Sequence, residues 1–183
     1  ALAAAITLSV VDEQSVHEAA AGAGRLGLVG AAVHLKVDTG MRRVGVEPVG
    51  APALAAKIAA DDGLWLQGLF SHLPVSDSPA GEAFTKQQSE VFGATAESVE
   101  QVVGPLAIKH LANSGAVLGH PDTWFDLVRP GIMIYGSLPD PQAQRTVDLR
   151  PGLGLRTEIS FLIPVAVGET VGYGRTWTAP RDS

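Results

Sequence analysis

No cysteine occurs anywhere in the 183 residues, which excludes disulfides and thiolate metal sites and agrees with a reducing cytoplasm. Basic clusters are missing too. The net charge is −6 and the arginines are scattered, which argues against a nucleic-acid surface, where lysines and arginines gather on one face. No apolar run is long enough to span a bilayer. The opening "ALAAAITLSVVDEQ" also lacks the basic flank of a signal peptide, so it reads as a short buried strand ending at Asp12. The first residue is Ala rather than Met, and the expectation is a piece of a longer polypeptide.

What is present is globular composition, 46% hydrophobic, enough for one sizeable core or for a domain and part of another. Apolar runs of strand length alternate with helical stretches. Strands are expected at 6–11, 31–37, 64–70, 106–111 and within 125–135, and helices at 13–21, 51–60 and 82–103. On the last helix Phe84, Val91, Phe92 and Val99 share one spacing. Strands separated by helices imply a parallel α/β sheet or a (β/α) barrel. Beyond Pro139 the helices stop. "LRTEISFLIPVAVGETVGYGRTW" has strand-type residues interrupted by Pro164 and Gly168-Glu169, as at the start of an antiparallel β module. The expected division is therefore a partial TIM-type (β/α)8 barrel over 1–138, with about its last five strand units. A linker and the beginning of a β domain follow over 139–183, with the boundary in 139–144.

One glycine pattern is a decoy. "GAGRLG" at 22–27 fits G-x-G-x-x-G, but helical residues precede it and a strand follows, the reverse of a dinucleotide site. It reads as an ordinary helix-to-strand loop.

In parallel α/β folds ligands sit at the carboxyl ends of the strands. The polar residues there are Arg43, Ser71-His72, Asn113-Ser114 and Arg129-Pro130-Gly131-Ile132. Lys36 lies inside an apolar run, where a bare ammonium is costly to bury. Taken alone it reads as a lysine that reaches solvent or stands beside Asp38. Arg42 and Arg43 alone read as solvated loop charges, His72 as a structural histidine, and Asn113-Ser114 as a helix cap. A cap is compatible with an anion site, and barrels often hold phosphate in the loops after their last two strands. Ser114 with the N–H groups of Gly131 and Ile132 would suit that task.

Together these strings resemble the alanine racemases, pyridoxal-phosphate enzymes with a (β/α)8 barrel and a C-terminal β domain. The matching stretches are "HLKVDTGMRRVG" at 34–45, "GLFSHLPVSD" at 68–77, "HLANSGA" at 110–116 and "VRPGIMIYG" at 128–136. "GETVGYGRTW" at 168–177 looks like the entry into the β domain. The resemblance implies interconversion of L- and D-alanine through an imine with pyridoxal 5'-phosphate and removal of the α-proton. It also implies supply of D-alanine to peptidoglycan by a cytoplasmic homodimer. Arg43 looks like the arginine that contacts the cofactor phenolic oxygen and the substrate carboxylate. Lys36 is similar to a lysine that is carbamylated and so holds that arginine. Arg129 resembles the arginine on the pyridine nitrogen, and His72 the histidine bracing it. Ser114, Gly131 and Ile132 match the phosphate cradle, with Asn113 beside them.

The resemblance also has gaps. The family's Schiff-base lysine lies in a "KANAYGHG"-like string that none of Lys36, Lys57, Lys86 and Lys109 shares, and Tyr173 is not in the motif of the catalytic tyrosine. Arg42 and Pro74 stand where the family has small residues. The expectation is a fragment of the middle of such an enzyme, inactive by itself and prone to aggregate at open sheet edges. Alternatives with the same cofactor are a broader amino-acid racemase, a D-amino-acid aldolase, or a non-catalytic pyridoxal-phosphate barrel. A cofactor-free barrel binding a sugar phosphate is a further one. The aldolase needs a metal site, and the histidines read as dispersed singles.

Overall fold

In the computed structural model, which describes residues 1–183, strands β1 (Leu8–Val10), β2 (Ala31–Lys36), β3 (Leu64–Phe70) and β4 (Ile108–His110) lie side by side in sequence order. All are parallel. Helices α1 (Glu13–Arg25), α2 (Ala51–Ala59) and α3 (Glu82–Val103) connect them, and the short α4 (Ser114–Gly119) follows β4. The sequence reason is local. Asp12 caps α1 by accepting the Ser15 N–H at 2.7 Å, and Ser15 returns a bond to the Asp12 N–H. "GAGRLG" is then the end of α1 running into the turn at Gly27 (φ +64°), so its glycines end a helix rather than open one.

One face of the sheet is apolar. Val33, Leu35 and Val37 alternate with Leu64, Leu66 and Leu69 and pack with Leu54, Ile58, Phe92 and Val99 of the helices. That burial is the main stabilising term, at roughly 1.5–3 kcal/mol for each large side chain removed from water. The opposite face differs from a strand apolar on both sides. It carries His34, Lys36, Gln67, Phe70 and His110, which is the face a barrel would turn inward. Gly68 leaves room for this layer, since a Cβ there would sit 2.9 Å from the His34 ring. On α3 the buried face is Thr85, Gln88, Phe92, Thr95, Ala96 and Val99, while Phe84 stays 39% exposed.

The expected fifth strand does not form. Residues 125–135 run beside β4 with only two backbone bonds to that stretch, Asp126 N–H to Lys109 C=O and Arg129 N–H to Ala112 C=O. Pro130 has no N–H to give, Phe125 turns at φ +50°, and Ile132–Tyr135 close into a 3-10 turn. The sheet thus has four strands instead of five.

The chain packs as two units, Ala1–Gly152 and Leu153–Ser183. Segment 139–144, where the boundary was expected, belongs to the first, because Thr146 bonds the Leu118 carbonyl and the Gly152 N–H bonds the Tyr135 carbonyl. In the second unit, β5 (Thr170–Val171) and β6 (Trp177–Thr178) form the expected antiparallel pair. Val165 and Ser183 exchange both backbone bonds and extend it. The strand-like residues ahead of it do not pair: Leu155, Ile159, Phe161 and Leu162 are 78–97% exposed. A strand needs a neighbouring ladder, and none lies beside them.

Candidate functional site

Every strand-end residue singled out from sequence lies on the carboxyl side of the sheet. After β2 the chain folds back on itself: Asp38 N–H bonds Val46 C=O and Val46 N–H bonds Lys36 C=O. Gly45 (φ +130°) permits this closure, since a Cβ there would meet Asp38 N at 2.9 Å. Asp38 holds the loop by accepting the N–H groups of Gly40 and Arg42. Burial alone would push its carboxyl pKa up, but those two donors and the nearby Lys36 and Arg42 outweigh it and hold it below the usual range. The loop carries Arg43 to the rim. Its guanidinium takes no ion pair, yet it lies close enough to lower the pKa of both Lys36 and His72.

Lys36 neither reaches solvent nor pairs with Asp38. It is 4% exposed, and its ammonium donates to the Val37 carbonyl at 2.8 Å and the Ser71 hydroxyl at 3.4 Å. Burial pulls its pKa down to about 8. The neighbouring Arg129 and Arg43 push the same way, and Asp38 offsets part of the fall.

Arg129 is the hub. Nη2 donates to the carbonyls of Ser71 (2.7 Å) and Leu111 (3.0 Å), clamping the ends of β3 and β4, and Nη1 donates to His110 Nδ1 at 2.5 Å. Its Nε–H has no acceptor within the protein and remains free for a ligand. Sequence reasoning gave the bracing of this arginine to His72, whose Nδ1 stands 3.4 Å from Nη2, and passed over His110, which is much closer.

His110 continues inward. Arg129 has only donors, so His110 Nδ1 accepts and its Nε2–H donates to His34 Nδ1 at 2.9 Å; His34 Nε2–H then donates to Gln67 Oε1 at 3.1 Å. One tautomer satisfies the whole row. Burial, then Arg129 and the facing His34, drives His110 down to about 3; burial also lowers His34, with Gln67 opposing. His72 falls to about 4 through burial, then Arg129, Arg43 and Lys36. All three rings are therefore neutral at neutral pH. The signal that could have found His34 and His110 is their spacing. Each is an inward-facing strand position, with Gly68 opposite His34 and Phe70 opposite His110 in the register.

Beside Arg129 is a group of donors suited to an anion. The buried Ser114 hydroxyl accepts the Gly131 N–H at 2.7 Å, so its own proton points elsewhere, and the Ile132 N–H has no internal acceptor. Asn113 braces the group. Its Oδ1 accepts from Ala116 N–H and the Ser76 hydroxyl, and its Nδ2 donates to Leu73 C=O, so it ties β3 and β4 ends together. No group of acidic, histidine or cysteine side chains here could hold a metal ion.

A family model described as "Alanine racemase, N-terminal domain" matches residues 1–139. The chain is 41% identical over 179 residues to the alanine racemase of Cutibacterium acnes, covering 98% of this chain and 47% of that protein. Among solved structures, the alanine racemase of Streptomyces coelicolor superposes with a TM-score of 0.88 at 33% identity, over 99% of this chain and 48% of that one. The Bartonella henselae enzyme, solved with covalently bound pyridoxal phosphate, shares the fold with a TM-score of 0.76 at 21% identity. The chain spans about half the length of the relatives it matches.

Proposed function

The chain belongs to the alanine racemase family, and on that footing we propose that its strand ends form the cofactor- and substrate-holding part of a pyridoxal-phosphate racemase acting on alanine. The observation that carries the reading is Arg129. It is a half-buried guanidinium whose Nε–H has no acceptor in the protein, set next to the Ser114 hydroxyl and the Ile132 N–H. These residues fit the cofactor. Arg129 would meet the ring nitrogen, the Ser114 hydroxyl and Ile132 N–H the phosphate, and the unpaired Arg43 the phenolic oxygen and the substrate carboxylate. Pyridoxal phosphate, when bound, supplies an electron sink for the charge left when the α-proton is removed.

Each residue then has a physical task. Arg129 donates a hydrogen bond without giving up its proton, since its pKa stays at about 10. It moderates the sink and favours return of the proton to Cα. Lys36, with its pKa near 8, has an appreciable neutral fraction that can add to carbon dioxide. The new N–C bond gives a carbamate and releases one proton, and the resulting anion would hold Arg43. Of the other three lysines, Lys57 pairs with Glu13 on the outer helices, Lys109 pairs with Glu100, and Lys86 lies on α3. None of the four lysines matches the family's Schiff-base lysine, so the chain by itself holds and orients but does not racemise.

In the finer reading the whole enzyme is a cytoplasmic homodimer supplying D-alanine for peptidoglycan. No helix here is long and apolar enough to cross a membrane. The test is Arg129→Glu in the whole holoenzyme. A carboxylic acid at the ring nitrogen should increase transamination relative to racemisation, and an unchanged product ratio would count against the assignment.

A further inference from the structure

α3 directs a fully buried amide, Gln88, towards the β2 loop. Its Nε2 donates to Thr39 Oγ1 at 3.1 Å and to the His72 carbonyl at 3.4 Å. A carbonyl only accepts, so the amide orientation is set, and the oxygen left over, Oε1, is buried with no partner. An unpaired buried acceptor costs about 1–3 kcal/mol. A methionine would fill the same space without the orphan oxygen, so what the glutamine adds over an apolar side chain is its N–H groups.

Those donors start a one-way row. Ser71 has a single hydroxyl proton, and it points to the Val37 carbonyl at 2.7 Å. The 2.8 Å contact between Thr39 and Ser71 must then run from the Thr39 hydroxyl, whose oxygen is left to accept from Gln88. The row ends at the two acceptors Lys36 uses, the Ser71 hydroxyl and the Val37 carbonyl. Each link fixes the next.

We propose that Gln88 is a positioning residue for Lys36, acting from α3 through Thr39 and Ser71 to keep the lysine nitrogen in its buried notch. Its importance for a carbamate rests on the racemase reading above, whereas its effect on the lysine itself does not. The charged and titratable groups facing Lys36 are Asp38 on its own segment, Arg43 on the following loop, His72 after β3 and Arg129 beyond β4. Gln88→Met alters none of them.

The experiment follows the ε-carbon-13 signal of Lys36 with pH in the 183-residue chain, assigned by its loss in Lys36→Arg. The wild-type midpoint is expected near 8. Gln88→Met and Thr39→Val should each move it up towards 10.5, because a loosened notch admits water, while Thr39→Ser keeps the wild-type value. The double variant should move it no further than either single one. An unchanged lysine midpoint in Gln88→Met, or additive shifts in the double variant, would overturn the proposal. If Gln88→Met does not fold, identical midpoints for Thr39→Val and Thr39→Ser overturn it instead. Carbon-13 bicarbonate separates the two readings. A Lys36 carbamate signal that weakens in Gln88→Met supports both. Midpoints that shift as described with no carbamate in wild type support the positioning role and remove the carbamate.

Discussion

Lys36 and Arg129 flank one ring, Phe70, at 5.6 and 5.7 Å from its centroid, and neither has a carboxylate within ion-pairing distance. They meet the cost of burial differently. Arg129 stays charged and spreads its charge over two carbonyls and an imidazole nitrogen. Lys36 has only a carbonyl and a hydroxyl, and its pKa falls to about 8. A guanidinium cannot shed its proton near neutrality, whereas an amine can. The fold therefore sets a permanent cation at the end of β4 and a convertible one at the end of β2, the two that the proposed reading assigns to a ring nitrogen and to an anion.

The sharpest way to break this comparison is to replace each cation by methionine. Arg129→Met strands the Ser71 and Leu111 carbonyls and His110 Nδ1, and should cost about 3 kcal/mol or more in urea unfolding. Lys36→Met strands little, because the Val37 carbonyl keeps the Ser71 hydroxyl, and should cost less than about 1 kcal/mol or stabilise. Equal losses would mean that the two pockets are held alike.

A smaller effect comes from pH. His72 and His110, at about 4 and 3 when folded, take up protons in the unfolded chain near 6.5. The unfolded state binds more protons between those values, so stability is complete above 6.5 and falls as pH drops from there through 4 towards 3. The slope approaches about 1.4 kcal/mol per pH unit for each proton. His110→Asn should flatten the lower part of that decline. Lys36 works in the same sense at higher pH, adding stability as pH rises from 8 to 10.5. A curve flat from pH 7 to 4 would show that the imidazoles are not held neutral around Arg129.

The parts of this arrangement that were legible in sequence are those set by local pattern. Strand β3 matches its expected span, α2 and α3 match within a residue, and the strand-end motifs share one rim as their order implied. The fifth strand was not legible, because the apolar residues of 125–135 do not reveal that Pro130 and the turn at Phe125 break the ladder. Gln88 and His110 were passed over for a related reason. A polar residue on an apolar face looks like an exception until the groups across the sheet are known, and those come from sixteen or more positions away. The resemblance to a family supplied roles for Lys36 and Arg129 and named His72 as a brace for the arginine, but it gave no account of His110 or of what keeps Lys36 in place.

The smallest expected effect uses Arg42, a cation on the same loop that is buried by nothing. Its side chain is 67% exposed and pairs with Glu47, an exchange that water and salt weaken. Its backbone, however, sits at φ +56°, where any residue with a Cβ is strained by about 1–2 kcal/mol. Its N–H must stay there to reach Asp38. Arg42→Gly removes that strain and loses the weak pair, while the freer unfolded chain takes back part of the gain. The net should be a stabilisation of about 0.5 kcal/mol, read as a higher urea midpoint with the Lys36 titration unchanged. A drop in stability would mean that the exposed arginine contributes what the comparison reserves for the buried pair.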